Sequence, residues 1–79
     1  MRGQEVHLTP IEYELLKQLV VNAGRVLTHQ MLLDRVWGPE YSAEVHYLRL
    51  VITSLRKKLG SHLLQTEPGV GYRLRIVPS

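Results

Sequence analysis

Apolar positions recur at Val45, Leu48, Ile52, Leu55 and Leu59, a helical spacing kept for more than three turns. At about 100° per residue these five form one narrow stripe. The other side carries His46, Leu50, Thr53, Ser54 and Lys57, with Arg49 and Arg56 flanking the stripe. The pattern predicts a helix over residues 43–59, with Ser42 as N-cap and Gly60 just past the end. Its only acid, Glu44, sits in the first turn, where it suits the positive end of the helix dipole.

Upstream, Thr9-Pro10-Ile11-Glu12 is a helix start: a threonine cap, proline at the first helical position and a glutamate that completes a capping box. Leu8 and Tyr13 occupy the staple positions. This helix runs to about Asn22 and buries Ile11, Leu15, Leu16 and Leu19, with Gly24 available for a left-handed turn. Residues 25–27 read as a short extended link. Thr28 then caps a second helix over residues 29–37, with Leu32, Leu33 and Val36 as its apolar face and Gly38-Pro39 as its stop. Trp37 is expected half buried there, its indole N–H needing an acceptor.

Beyond Gly60 the period becomes two. Residues 63–66 and 72–77 read as strands, the second alternating Tyr72, Leu74 and Ile76 with Arg73 and Arg75. Pro68-Gly69 between them suits a type II turn. The hairpin's outer face is expected to carry both arginines. A short strand over residues 4–8 is expected at the start and needs partners elsewhere. Two helices joined by a Gly-Pro loop, the second of them basic, make a helix–turn–helix pattern.

Charge sharpens this reading. The chain has 79 residues and net charge +3. Residues 1–39 hold four basic residues and four acids, whereas residues 40–79 hold six and three, so the whole excess lies in the second half. Cations for phosphate and small polar or apolar groups for base edges are what a helix in a DNA major groove requires. A solvated amphipathic helix would show a charged outer face too, but Leu50 near its centre is better explained by something that covers it. There is no cysteine, hence no disulfide framework or thiolate metal site. No apolar run approaches the roughly 18 residues of a membrane span, and no apolar signal region opens the chain, so a cytoplasmic location is expected.

Enzymatic readings find little support. His7, His29, His46 and His62 are scattered without metal-ligand spacing, the serines lack a nucleophile-elbow context, and no Gly-rich phosphate loop precedes a helix. Glu12 and Glu14 are better read as a cap and a solvated side chain than as a catalytic pair. No cofactor and no metal is expected.

The capped first helix, L-L-x-x-V-W-G at residues 32–38 (with aspartate and arginine between), L-R-K-K-L at residues 55–59 and G-x-G-Y-R at residues 69–73 occur in order. Together they resemble the winged-helix output domain of OmpR/PhoB-type two-component response regulators, over about residues 3–77. The TPIEY and HYLR segments look most like the potassium-transport (KdpE-like) branch. The resemblance implies an α+β, mainly α, winged helix–turn–helix of three helices and a C-terminal hairpin over residues 63–77, with the usual N-terminal sheet truncated and an upstream receiver domain absent. It implies sequence-specific binding to double-stranded promoter DNA, with helix 43–59 in the major groove. Implied partners are a second copy bound head-to-tail on direct repeats, RNA polymerase and the receiver domain, with no membrane.

Carried onto this chain, the base-facing positions are His46, Tyr47, Leu50, Val51, Thr53, Ser54 and Lys57. Phosphate and wing contacts fall on Thr28, Trp37, Arg49, Arg56, Thr66, Pro68 and Arg73. The loop facing polymerase is Gly38, Pro39, Glu40 and Tyr41. Thr53 and Ser54 replace an arginine pair that some members present to bases, so no operator sequence carries over, and Pro68 stands at a wing-tip position that is arginine in some members, which weakens a minor-groove contact there. The alternative is a winged-helix module that binds protein and no DNA.

Overall fold

A computed structural model describes residues 7–75. Helix α1 (Pro10–Val21) is followed by strand β1 (Val26–Thr28), helix α2 (His29–Val36), a 3-10 turn (Pro39–Tyr41), helix α3 (Val45–Leu59), and strands β2 (Leu64–Glu67) and β3 (Gly71–Leu74). Among the described residues no helix is long and apolar enough to cross a membrane.

The first two helices start where local chemistry places them. Thr9 closes a full capping box with Glu12: the Glu12 N–H donates to Thr9 Oγ1 at 3.2 Å, and the Thr9 N–H donates to Glu12 Oε1 at 2.9 Å. Thr28 Oγ1 accepts from the Met31 N–H at 3.1 Å and caps α2. Thr28→Ala should therefore cost about 1 kcal/mol in urea unfolding, and Thr28→Ser much less. Equal stability of Thr28→Ala and the parent would show the cap to be idle.

Several local expectations need correction. Ser42 does not cap α3. The chain makes its 3-10 turn first, Ser42 closes that turn by donating its N–H to the Pro39 carbonyl, and α3 begins at Val45 behind Glu44, which makes no side-chain cap. Tyr13 is more than half exposed, and Leu8 packs against the core. Ile11 and Leu16 are only partly buried. The strand expected over residues 4–8 lies outside the described residues apart from His7 and Leu8, which are irregular, and residues 76–77 lie outside them too.

The main revision concerns residues 25–27. Val26–Thr28 is a strand, not a link. It pairs antiparallel with β3 in the register Val26 to Arg73, Leu27 to Tyr72 and Thr28 to Gly71. β2 pairs on the other side of β3, giving a three-stranded sheet in the order β1-β3-β2. The hairpin turn is as expected: Gly69 takes φ 74°, and the Val70 N–H donates to the Glu67 carbonyl at 2.9 Å.

One face of this sheet and the three helices enclose a core of Leu15, Leu19, Leu27, Leu32, Leu33, Leu48, Ile52, Leu55, Leu64 and Tyr72. Nine of these ten are leucine or isoleucine. The stripe read from α3 divides accordingly: Leu48, Ile52 and Leu55 are buried, while Val45 and Leu59 pack at its two ends.

Candidate nucleic-acid interface

Helix α3 has four sides, and each meets something different. The apolar stripe faces the core. On the flank toward α1, Ser54 and Lys58, four residues apart, both reach Glu12. The Ser54 hydroxyl donates to Glu12 Oε2, and the Lys58 ammonium donates to Glu12 Oε1 at 2.6 Å and to the His7 carbonyl at 2.8 Å. Glu12 is a buried charged residue, only 4% exposed, and these donors hold it ionised. Its pKa falls from 4.5 to about 2, chiefly through Lys58, then Ser54 and the Thr9 backbone, against the opposing effect of burial.

On the opposite flank, Arg56 ties α3 to the hairpin. Its Nε and Nη2 donate to the Leu64 carbonyl at 3.2 and 2.8 Å, and Nη2 also donates to Thr66 Oγ1 at 2.6 Å. The guanidinium carbon lies 5.9 Å from the centroid of the Tyr72 ring.

The fourth side is open. His46, Leu50, Thr53 and Lys57 fall within about 60° of one another on the wheel, and all four are exposed. Leu50, at the centre of that face, is 57% exposed. Arg49 is exposed beside them, and among the described residues α3 bears no acid. Tyr47 stands at the margin, its ring 6.1 Å from that of Tyr41 in the preceding loop. Pro39, Glu40 and Tyr41 are exposed, and Gly38 is half buried.

The candidate residues read from the sequence thus separate. His46, Leu50, Thr53 and Lys57 share one accessible face, and Tyr47 borders it. Ser54 does not belong to that face: its hydroxyl is turned inward to Glu12. Val51 is partly buried and packs against the core. Arg56 and Thr66 are engaged with each other. The hairpin does not display two free arginines either. Arg73 Nη2 lies 3.0 Å from a Glu67 carboxylate oxygen and its buried Nε finds no acceptor among the described residues, whereas Arg75 is exposed. Trp37 is half buried against the core at the end of α2, and Thr28 serves as the α2 cap.

Thr28 also lines an open notch of about 450 Å³ between the α2 N-terminus, the start of α3 and the hairpin turn, together with His29, Gln30, Ser42, Val45, Gly69 and Val70. The His29 ring lies edge-on to Tyr72 at 5.4 Å, and the His29 backbone N–H donates to the Val70 carbonyl, which fixes one wall of the notch.

The Glu12 network was missed at the level of sequence. The T-x-x-E signature explains one half of its hydrogen bonding. The other half comes from residues 42 and 46 positions away, for which only the i, i+4 spacing of Ser54 and Lys58 gives a hint.

A capped three-helix unit whose third helix leaves one face open, with a β-hairpin along that helix, is a winged helix–turn–helix. The family described as "Transcriptional regulatory protein, C terminal" matches residues 3–74, and the chain belongs to it. It is 49% identical over 82 residues to the KDP operon transcriptional regulatory protein KdpE of Escherichia coli, covering 95% of this chain and 36% of that protein. The chain thus spans about a third of that relative's length. The DNA-binding domain of Bacillus subtilis CssR superposes with a TM-score of 0.83 at 28% identity, covering 91% of this chain and 82% of that one. The DNA-binding domain of Klebsiella pneumoniae RstA in complex with the RstA box does so with a TM-score of 0.80 at 26% identity, covering 92% and 77%.

Proposed function

We propose that this chain is the sequence-specific DNA-binding output domain of a two-component response regulator, placing the open face of α3 in a major groove and the β2–β3 hairpin alongside as a wing. The observation that carries this reading is that open face: His46, Leu50, Thr53 and Lys57, exposed, free of acids and bordered by Arg49. The solved RstA domain, similar in fold and in complex with its DNA box, supports it. The notch lined by Thr28, His29 and Gln30 lies at the N-terminus of α2, the positive end of the helix, where a phosphate would sit. We further infer that the chain acts with a receiver domain elsewhere in the full protein, that two copies sit head-to-tail on direct repeats in the cytoplasm, and that the loop from Gly38 to Tyr41 meets RNA polymerase.

Titration with duplex DNA tests the central claim. Each phosphate neutralised releases counterions, so the logarithm of affinity should fall with the logarithm of salt, by about 0.9 per contact. Arg49→Ala should weaken binding on all duplexes alike and flatten that slope by about one contact. Leu50→Ala or Thr53→Ala should instead change which sequences are preferred. Affinity that ignores salt, or no binding to any genomic fragment, would reject the proposal and favour a protein partner for Leu50, Tyr41 and Tyr47.

A further inference from the structure

We propose that Glu12 is a positioning residue for DNA recognition: by gripping Ser54 and Lys58 from α1, it sets the roll of α3 about its own axis and so aims the open face. The proposal rests on the DNA-binding reading above and adds a determinant of specificity that touches no DNA.

The core beneath α3 is aliphatic apart from Tyr72, and the burial of aliphatic side chains is non-directional. Leucines and isoleucine at Leu48, Ile52 and Leu55 hold the helix down but resist small rotations weakly. Hydrogen bonds are directional and fail within a few tenths of an ångström. Those that hold α3 by its side chains come on both flanks. Arg56 grips Leu64 and Thr66 of the hairpin, and Glu12 grips Ser54 and Lys58 from α1. Glu12 is itself fixed, because its Oε1 accepts from the Thr9 N–H and its own N–H is held by Thr9 Oγ1. Its carboxylate therefore ties the start of α1 to two successive turns of α3.

Removing one brace leaves the other as a pivot. With side-chain tips about 5–6 Å from the helix axis, a roll of roughly 20° displaces them by about 2 Å. That exceeds the tolerance of a base-edge hydrogen bond, whereas flexible lysine and arginine side chains follow a phosphate over such a distance. Specific recognition should suffer, and general affinity for DNA should not.

The test uses the full chain, a duplex it selects from a random pool, and a scrambled duplex of the same length. Glu12→Gln should lower the ratio of selected to scrambled affinity about tenfold, with scrambled affinity and salt slope unchanged. Ser54→Ala and Lys58→Met should each lower the ratio, the loss spread over several base positions. Val36→Ala, weakened in its packing on α2, should keep the parent ratio. Residual dipolar couplings of the free protein should report a rotated α3 relative to α1 in Glu12→Gln. Should that variant fail to fold, Ser54→Ala and Lys58→Met decide the matter. A parent ratio and parent couplings in the variants would overturn the positioning role. So would a Ser54→Ala that relaxes one base position while Lys58→Met is silent, because Ser54 would then be reading a base itself. A parent chain that selects no duplex would overturn the DNA-binding reading as well, a distinguishable result.

Discussion

Gly71→Ala should unfold the domain or strip β1 from the sheet, the largest single-residue effect expected here. A Cβ at this position would lie 2.7 Å from Thr28 Cα and 2.8 Å from the Leu27 carbonyl carbon, and closer still to the Leu27 oxygen. All of these are backbone atoms of β1, which cannot swing aside as a side chain would. β1 cannot retreat without cost, because Leu27 is a core residue and Thr28 is the cap of α2. The Gly24 N–H to Leu74 carbonyl bond on one side and the His29 N–H to Val70 carbonyl bond on the other clamp the pairing further. Overpacking against immovable backbone belongs to the costly class of substitutions, and we expect at least about 4 kcal/mol. A domain of this size commonly has only about 5–10 kcal/mol in total. Gly69→Ala is the matched control: it meets no atom within 4 Å and suffers only its left-handed φ of 74°, about 1 kcal/mol. Urea unfolding of the two variants, with amide spectra of Gly24 and Leu27, makes the comparison. A Gly71→Ala variant within about 1 kcal/mol of the parent would mean that β1 and β3 do not approach so closely.

Acid should destabilise the domain over a defined window through Glu12. The folded-state pKa of about 2 lies below the unfolded value near 4.5, so the unfolded chain takes up the proton first. The stabilisation is therefore complete above about pH 4.5 and is lost as the pH falls toward 2. Converted fully, the shift corresponds to about 3 kcal/mol, but the Lys58 side chain is one-third exposed. Solvent screening reduces the contribution, and about 2 kcal/mol is expected. Glu12→Gln should lose that amount at neutral pH, lower the melting temperature by about 10 °C, and flatten the pH dependence between 4.5 and 2. Lys58→Met should reproduce most of the effect. A parent stability curve that stays level through this window would show that Glu12 is not held ionised by its donors.

The open face of α3 was legible to the extent that helical periodicity is. Position on a wheel places His46, Leu50, Thr53 and Lys57 opposite the core, and they are exposed. Periodicity does not tell which of the remaining non-core positions meet a neighbouring element. Ser54 lies 180° and Arg56 20° from Val45 on the same wheel, and nothing in their chemistry distinguishes a base-reading serine from one that holds a glutamate.

Interactions spanning three or four residues needed no tertiary context. The Thr9–Glu12 box, the Thr28 cap and the Pro68-Gly69 turn each close over a few bonds, so the local chain specifies them. Assembly alone made Val26–Thr28 a strand, because three extended residues gain their hydrogen bonds only from β3, more than 40 residues later. Assembly likewise turned Glu12 from an ordinary cap into a buried anion joining two helices. A carboxylate offers more acceptor sites than one cap requires, and which donors fill the rest depends on how the helices pack.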